Sequence, residues 1–284
     1  MKQIAKAYIE ITDYCGLECD FCTPEKSKNK TDTMGLELFE RIHNEINGVA
    51  KEVSYHILGD PLTAPNLSSY LDISLKYKIP VNITTSGFFL TPNNFATLTH
   101  PAIKQVNFSI SSFFANKNID TVDTYLGKIF DFCDFSAENP KRFINLRVWN
   151  IGNERYEKLN NVFFDRCRDR YGDLDFNTDK TKIAPYCLVV KDSMFEWPDF
   201  AKEKSNTGGR CYAISGQIGF LKNGDTVPCC LDSKGAMALG NIKHKSLSML
   251  LNSQRAKNIV DGFSKGLLVE DFCKTCGFLG SRLG

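Results

Sequence analysis

The sequence predicts an α/β protein: an open, partial (β/α)6 TIM-like barrel followed by a small cysteine-bearing C-terminal extension. Three observations predict it. Short runs rich in Val, Ile and Phe alternate with amphipathic helical patterns up to about residue 190. Repeated βα units with short connections give a parallel sheet. The alternation stops near Met194–Thr207, where Glu196-Trp197-Pro198 and the polar run Lys202–Gly209 read as a linker. Beyond it the chain changes character, to separated cysteines, one hairpin signal and one helical stretch. The expected division is a barrel over 1–190, a linker over 191–204 and an extension over 205–284.

The elements follow in order. An alternating apolar strand (Ala7, Ile9, Ile11) opens the chain, and the lysine-rich run Glu25–Lys30 reads as a solvated loop. Leu38, Phe39, Ile42 and Ile46 form an apolar helical stripe. Val53–Leu58, Val81–Thr85 and Gln105–Ser111 read as the next strands. Tyr125, Leu126, Ile129, Phe130 and Cys133 mark a helix, Phe143–Trp149 a fifth strand, and Tyr156, Leu159, Phe163 and Cys167 a further helix. A sixth strand is expected near Leu188–Lys191. In the extension, Asn223-Gly224 between apolar strands is a hairpin signal, and a helix is expected near Ser246–Asp261.

Composition narrows the function classes. With 284 residues, 42% of them apolar, the chain has enough material for a sizeable core. A net charge of +2 leaves no electrostatic footprint of a nucleic-acid binder. No signal peptide and no apolar stretch of membrane-spanning length is present, so a cytoplasmic protein without a membrane partner is expected. In a reducing compartment, eleven cysteines argue for metal sites rather than disulfides.

The chemistry-bearing residues begin with Cys15, Cys19 and Cys22, a C-x3-C-x2-C triplet directly after the first strand. Thiolates are soft ligands that suit iron–sulfur clusters, zinc and copper(I). A tetrahedral zinc site needs a fourth protein ligand, whereas a cubane held by three cysteines leaves one iron open to a small molecule. The loop, including Phe21 before the last cysteine, resembles the cluster loop of the radical S-adenosylmethionine (SAM) superfamily. That resemblance implies a [4Fe-4S] cluster whose open iron chelates SAM, and cleavage of SAM to a 5′-deoxyadenosyl radical. An electron donor of flavodoxin or ferredoxin type goes with it.

The same resemblance picks out further residues. Leu58-Gly59-Asp60-Pro61-Leu62 is similar to the family's Gly-Gly-Glu-Pro stretch, with Leu for the first Gly and Asp for Glu, and Gly59 and Asp60 would meet SAM. Read alone, Gly-Asp-Pro is a turn signal. The third strand ends in Thr84-Thr85-Ser86-Gly87 and the fourth in Ser109-Ile110-Ser111, and the hydroxyls there, Thr85, Ser86, Ser109 and Ser111 among them, would contact SAM, although Ser and Thr also cap helices. Arg147, with Asn150 at the same strand's end, needs an anionic partner. SAM carboxylate and Glu10 are the two candidates, and Glu10 is also a candidate substrate contact inside the barrel.

Four more cysteines form a second constellation. Cys211-x12-Gly224-x4-Cys229 and Cys273-x2-Cys276 resemble the auxiliary-cluster segment of the SPASM/Twitch subgroup, in its short Twitch-like form with one extra [4Fe-4S] cluster. A zinc ribbon-like site is the alternative for four thiolates. Cys229 rather than Cys230 is the expected ligand, because neighbouring side chains of a strand point to opposite faces. Cys133 and Cys167 fall on helical stripes and read as core residues. Cys187 precedes the sixth strand and reads first as a buried core thiol, with a hydrogen-donating thiol at the barrel mouth as its second reading, and His56 reads as a packed strand residue.

In size and in its Cys211-to-Cys229 interval the chain resembles radical SAM dehydrogenases of aminocyclitol biosynthesis, which implies a two-electron oxidation of a small molecule. A maturase or epimerase acting on a peptide is the second expectation, and a non-catalytic iron–sulfur or zinc protein the third.

Overall fold

The computed structural model describes residues 3–23, 33–116, 121–138 and 142–282. The run Glu25–Lys30 lies outside the described residues. The barrel strands are β1 (Ile4–Ile9), β2 (Ala50–Ser54), β3 (Val81–Thr85), β4 (Ile103–Ser109) and β5 (Phe143–Ile151), followed by the hairpin β6 (Lys180–Ala184) and β7 (Cys187–Ser193). The extension adds β8 (Gln217–Phe220), β9 (Asp225–Val227) and β10 (Gly240–Asn241). All ten belong to one open sheet in the order β10-β9-β8-β1-β2-β3-β4-β5-β7-β6. Strands β1 to β5 and β7 are parallel neighbours, which is the six-stranded partial barrel.

Helices cover the outside: α1 (Leu36–Ile46), α2 (Leu67–Lys76), α3 (Pro92–Leu98), the short α4 (Ser111–Phe114), α5 (Val122–Glu138) and α6 (Glu154–Tyr171). The reason is visible along β5, where Ile144, Leu146 and Val148 are buried and alternate with half-buried Asn145, Arg147 and Trp149. Strand side chains alternate faces, so this pattern gives an apolar outer face and a polar inner one. Ile9, Val53, Ile83 and Phe108 are fully buried in the same core as Phe39 and Ile42 of α1 and Ile129 of α5. Each such side chain contributes roughly 1.5–3 kcal/mol by leaving water.

The strands differ from their expected bounds for local reasons. β2 ends at Ser54, four residues before Leu58, because Gly59 turns at φ +72° and the Asp60 side chain caps a 3-10 turn over Pro61–Thr63. β4 stops at Ser109 because Ser111 opens α4. β7 runs on through Ser193, into residues assigned to the linker. β6 had no signal in the sequence: Lys180, Thr181 and Lys182 are polar, and the strand exists by antiparallel pairing with β7. The single helix expected over Ser246–Asp261 is two, α7 (Leu247–Leu251) and α8 (Gln254–Ser264), since Ser253 caps a new N-terminus by accepting from Ala256 N. The chain finishes with α9 (Asp271–Lys274) and α10 (Gly277–Arg282).

The Asn223-Gly224 hairpin joins β8 and β9 as the dipeptide predicts, with Gly224 at φ +94°. Its placement is what matters for function. β8 pairs in parallel with β1, Lys6 opposite Gln217 and Ile9 opposite Phe220, so the extension continues the barrel sheet beyond its first strand. Among the described residues no helix is long and apolar enough to cross a membrane.

Candidate functional site

The three-cysteine loop leaves the C-terminal end of β1. Cys19 is buried, and Cys22 N donates to Cys19 O at 3.1 Å, closing a tight turn between two of the thiols. The loop is tied from several sides. Asp20 accepts hydrogen bonds from the Tyr156 hydroxyl of α6 at 2.6 Å and pairs with Arg155. Glu18 N donates to Asn116 Oδ1 at 2.9 Å, and Asn116 Nδ2 donates to Cys19 Sγ at 3.1 Å. From the loop after β2, Asp60 N donates to Tyr14 O at 2.9 Å. Gly59 packs so closely there that a Cβ would lie 2.2 Å from the Thr12 carbonyl oxygen, and its φ of +72° disfavours any L side chain.

Asp60 is buried and its carboxylate is committed inside the protein. Oδ2 accepts from Thr85 Oγ1 (2.9 Å), Ser86 N (2.8 Å) and Ser86 Oγ (2.6 Å), and Oδ1 accepts from Leu62 N (3.0 Å). Burial raises the Asp60 pKa against the pull of these donors. The hydroxyls of Thr85 and Ser86 are therefore engaged with Asp60, and the group locks β2 to β3 beside the cluster loop. What this stretch leaves for a ligand is its backbone.

A cavity of about 370 Å³ occupies the barrel interior and reaches the extension. Its barrel wall includes Tyr8, His56, Thr84, Asn107, Ser109, Arg147 and Trp149, and its opposite wall includes Cys211, Cys229, Cys230, Cys273 and Cys276. The Arg147 guanidinium lies over the Trp149 ring, 4.7 Å from its centroid, a cation–π arrangement that holds the charge flat against the wall. The Tyr8 ring meets His56 edge-on at 5.4 Å, and His56 Nδ1 is buried without a hydrogen-bond partner. Burial, then the charges of Arg147 and Lys6, lower the His56 pKa to about 3, so the ring is neutral. The linker aromatics Phe195 and Trp197 also line this cavity, and they line a second one of about 480 Å³ beside Phe21 and Cys22.

The donor chemistry of the extension suits a cationic cluster. Cys211, Cys229, Cys273 and Cys276 all have raised pKa values, first by burial, and the thiols raise one another: Cys211 and Cys276 act on Cys273, which is pushed up to about 12. As thiolates they are soft ligands of the kind that bind iron–sulfur clusters and zinc. Among the described residues no three Cys, His, Asp or Glu side chains form a group that could hold a single metal ion, and the four thiols all line the barrel cavity. The linker is fastened to the last pair, with Asn206 Nδ2 donating to Cys276 O at 2.9 Å and Gly277 N to Glu196 O at 3.2 Å.

Cys229 and Cys230 face different neighbours. Beyond burial, Cys229 feels the charges of Cys230, Cys211 and Cys273, whereas Cys230, which also feels Cys211, hydrogen-bonds the Tyr8 hydroxyl and lies 3.8 Å from Gln217 Oε1.

Two expected positions need correction and two others lie away from the cavity. Cys187 does not face the barrel mouth. It begins β7 at the opposite end of the strand, fully buried, with its sulfur 3.5 Å from that of Cys133 and close to Cys167. Glu10 does not contact the cavity. It is buried as a crosspiece, accepting from Leu58 N and Lys222 N, each at 3.2 Å, and so joins β2 to the β8–β9 turn. Ser111 Oγ accepts from Trp149 N at 2.8 Å, and Asn150 is buried on the face of β5 opposite Arg147 with neither side-chain polar atom partnered. Of the residues expected to meet SAM, Ser109 and Arg147 reach the barrel cavity and Phe21 the second one.

Burial pushes Glu10 up to about 7, against hydrogen bonds that pull it down. The folded state then keeps a proton that the unfolded chain releases near 4.5. Stability from this group is present below 4.5 and falls as the pH rises through about 7, by up to about 3 kcal/mol. In Glu10→Gln that slope should vanish, although the variant loses one acceptor at every pH. Urea midpoints between pH 5 and 8 check it, and parallel curves for the two proteins would contradict the assignment.

A three-thiol loop thus leaves the first strand of a partial parallel barrel, and a C-terminal extension brings four more thiols to the barrel cavity. Comparisons with known proteins find similar arrangements. Residues 211–277 match the SPASM family, an iron–sulfur cluster-binding domain. The chain is 28% identical over 102 residues to the S-adenosyl-L-methionine-dependent 2-deoxy-scyllo-inosamine dehydrogenase of Niallia circulans, a match covering 34% of this chain and 41% of that protein. It is 23% identical over 210 residues to the tungsten-containing aldehyde ferredoxin oxidoreductase cofactor-modifying protein of Pyrococcus furiosus, covering 73% of this chain and 50% of that one. The matches thus span half or less of these curated relatives. The solved structure of BtrN in complex with AdoMet and 2-DOIA superposes with a TM-score of 0.63 at 17% identity, covering 97% of this chain and 93% of that one.

Sequence reasoning missed Tyr8, Trp149 and Asn107 as cavity residues, and Asn116 as a contact of Cys19. The first three were legible in principle, since polar or aromatic residues alternate with apolar ones along β1, β4 and β5. Asn116 carried no signal.

Proposed function

We propose that the protein is a radical SAM oxidoreductase of the cytosol that oxidises a small molecule by two electrons, supplied with reducing equivalents by a flavodoxin- or ferredoxin-type donor. Cys15, Cys19 and Cys22 would hold one SAM-binding [4Fe-4S] cluster, and Cys211, Cys229, Cys273 and Cys276 would hold a second. When bound, these groups supply a 5′-deoxyadenosyl radical for hydrogen abstraction and a nearby site for accepting an electron. The observation that carries the proposal is the shared cavity, in which the ends of the barrel strands face the extension thiols across one space.

The chain's own residues bind and orient. Ser109, Asn107 and Thr84 offer hydroxyl and amide groups to a polar substrate, Trp149 and Tyr8 offer ring faces, and Arg147 offers a fixed positive charge. The linker residues Phe195, Trp197 and Pro198 wall the cavity from solvent. Its volume of about 370 Å³ falls in the range of small-molecule sites. The dehydrogenase relative supports oxidation over peptide modification.

Anaerobically reconstituted protein, reduced in the presence of SAM, should form 5′-deoxyadenosine, slowly even without substrate. None at all would overturn the proposal. With substrate, one SAM per product is expected, with substrate hydrogen recovered in 5′-deoxyadenosine and no solvent deuterium at the reacting carbon. Solvent deuterium there would replace oxidation by hydrogen return from a thiol, for which Cys230, not Cys187, is the cavity residue to mutate.

A further inference from the structure

We propose that Asn116, just beyond α4, is a positioning residue for the N-terminal cluster, which aims the Cys19 sulfur and donates a hydrogen bond to it when it is a cluster ligand. The inference rests on the radical SAM function proposed above. Three hydrogen bonds fix the amide. Oδ1 accepts from Glu18 N at 2.9 Å, and Nδ2 donates both to Ser112 O at 2.7 Å and to Cys19 Sγ at 3.1 Å. The orientation of the amide follows from its partners, because a backbone N–H faces one side and a carbonyl the other.

The contacts of the sulfur separate by chemistry. Cys19 Sγ also lies 4.0 Å from Ser112 O, but that contact needs a proton on sulfur. A ligating thiolate carries none, so it is lost on cluster binding, while the Asn116 N–H becomes a charge-assisted donor to thiolate. Ser112 O stays occupied by the same amide. Hydrogen bonds to ligand sulfurs stabilise the more negative, reduced cluster and so raise its potential. Asn116 thus lowers the demand on the electron donor at the cluster where reduction starts the reaction. By holding Glu18 N as well, it fixes the residue before the ligand, so the loop is shaped before iron arrives. The tie spans 97 residues of sequence and joins the loop after β1 to the α4 segment after β4.

Two variants separate the roles in reconstituted protein. Asn116→Asp keeps an acceptor for Glu18 N but replaces the donor facing Cys19 with a negative charge, and Asn116→Ala removes both. Redox titration followed by EPR, with the N-terminal signal identified by its change on adding SAM, should show a lower midpoint potential in both. Asn116→Ala should also lose N-terminal iron faster on gel filtration, while auxiliary iron and far-UV circular dichroism stay unchanged. Full iron with wild-type potential in both variants would overturn the inference. Wild-type protein labelled with 15N at asparagine side-chain amides gives a readout free of folding effects. A hyperfine coupling from one such nitrogen to the reduced N-terminal cluster is expected, and its absence would equally overturn it. A wild type with no SAM-perturbed cluster signal would instead sink the radical SAM function itself.

Discussion

Replacing Cys15, Cys19 and Cys22 together by alanine is expected to take bound iron from about eight to about four per chain and to abolish SAM cleavage. The thiols follow one another in a short loop whose turn is closed by Cys22 N on Cys19 O. That loop is held by Asn116, Asp20 and the backbone of Gly59-Asp60. The remaining iron should belong to the extension, where other parts of the chain bring four thiols together. Single substitutions are less decisive, because a cluster can persist on two cysteines with a solvent ligand. Iron and sulfide analysis with 5′-deoxyadenosine measurement reads the triple variant. Unchanged iron would show that the loop is not a cluster site.

Cys229→Ala should strip the extension of about four irons, and Cys230→Ala should leave them in place. The strand alternation expected for this pair does not apply, because β9 ends at Val227 and Cys229-Cys230 lie in a bend and turn beyond it, so their surroundings alone tell them apart. Both thiols feel Cys211, but Cys273 acts on Cys229, while Cys230 hydrogen-bonds the Tyr8 hydroxyl and approaches Gln217 of β8. Pro228 fixes φ immediately before the pair and limits any exchange of their roles. The test is iron content alongside the EPR signal that SAM does not perturb. A greater loss of that signal from Cys230→Ala would reverse the assignment. Cys230→Ala has its own expected effect, an altered cavity wall opposite Tyr8, which substrate binding would register without loss of iron.

Much of this was legible in the chain because its causes are local. A C-x3-C-x2-C spacing puts three soft ligands on one loop whatever surrounds it, and Cys273-x2-Cys276 does the same for a pair. The apolar alternation of β5 and the stripe of α1 report which face is buried, since those periods are properties of strand and helix. Asn223-Gly224 specifies its hairpin because only a few residues tolerate the positive φ that such turns require. The six parallel strands and the cysteine-bearing extension follow from these patterns.

Tertiary structure decided the pairings between distant residues. Cys211, Cys229, Cys273 and Cys276 face the barrel cavity because β8 adds in parallel beside β1, a register that no local pattern encodes. The same geometry turned Asp60 into a lock on Thr85 and Ser86, made Glu10 a buried crosspiece, and set Cys187 against Cys133 at the far end of β7. Asn116 reaches Cys19 only because the loops after β1 and β4 meet at one end of the sheet. Sequence periodicity fixes the face on which a side chain stands. Its partner is fixed by strand order and register, which are set by burying the whole apolar surface at once.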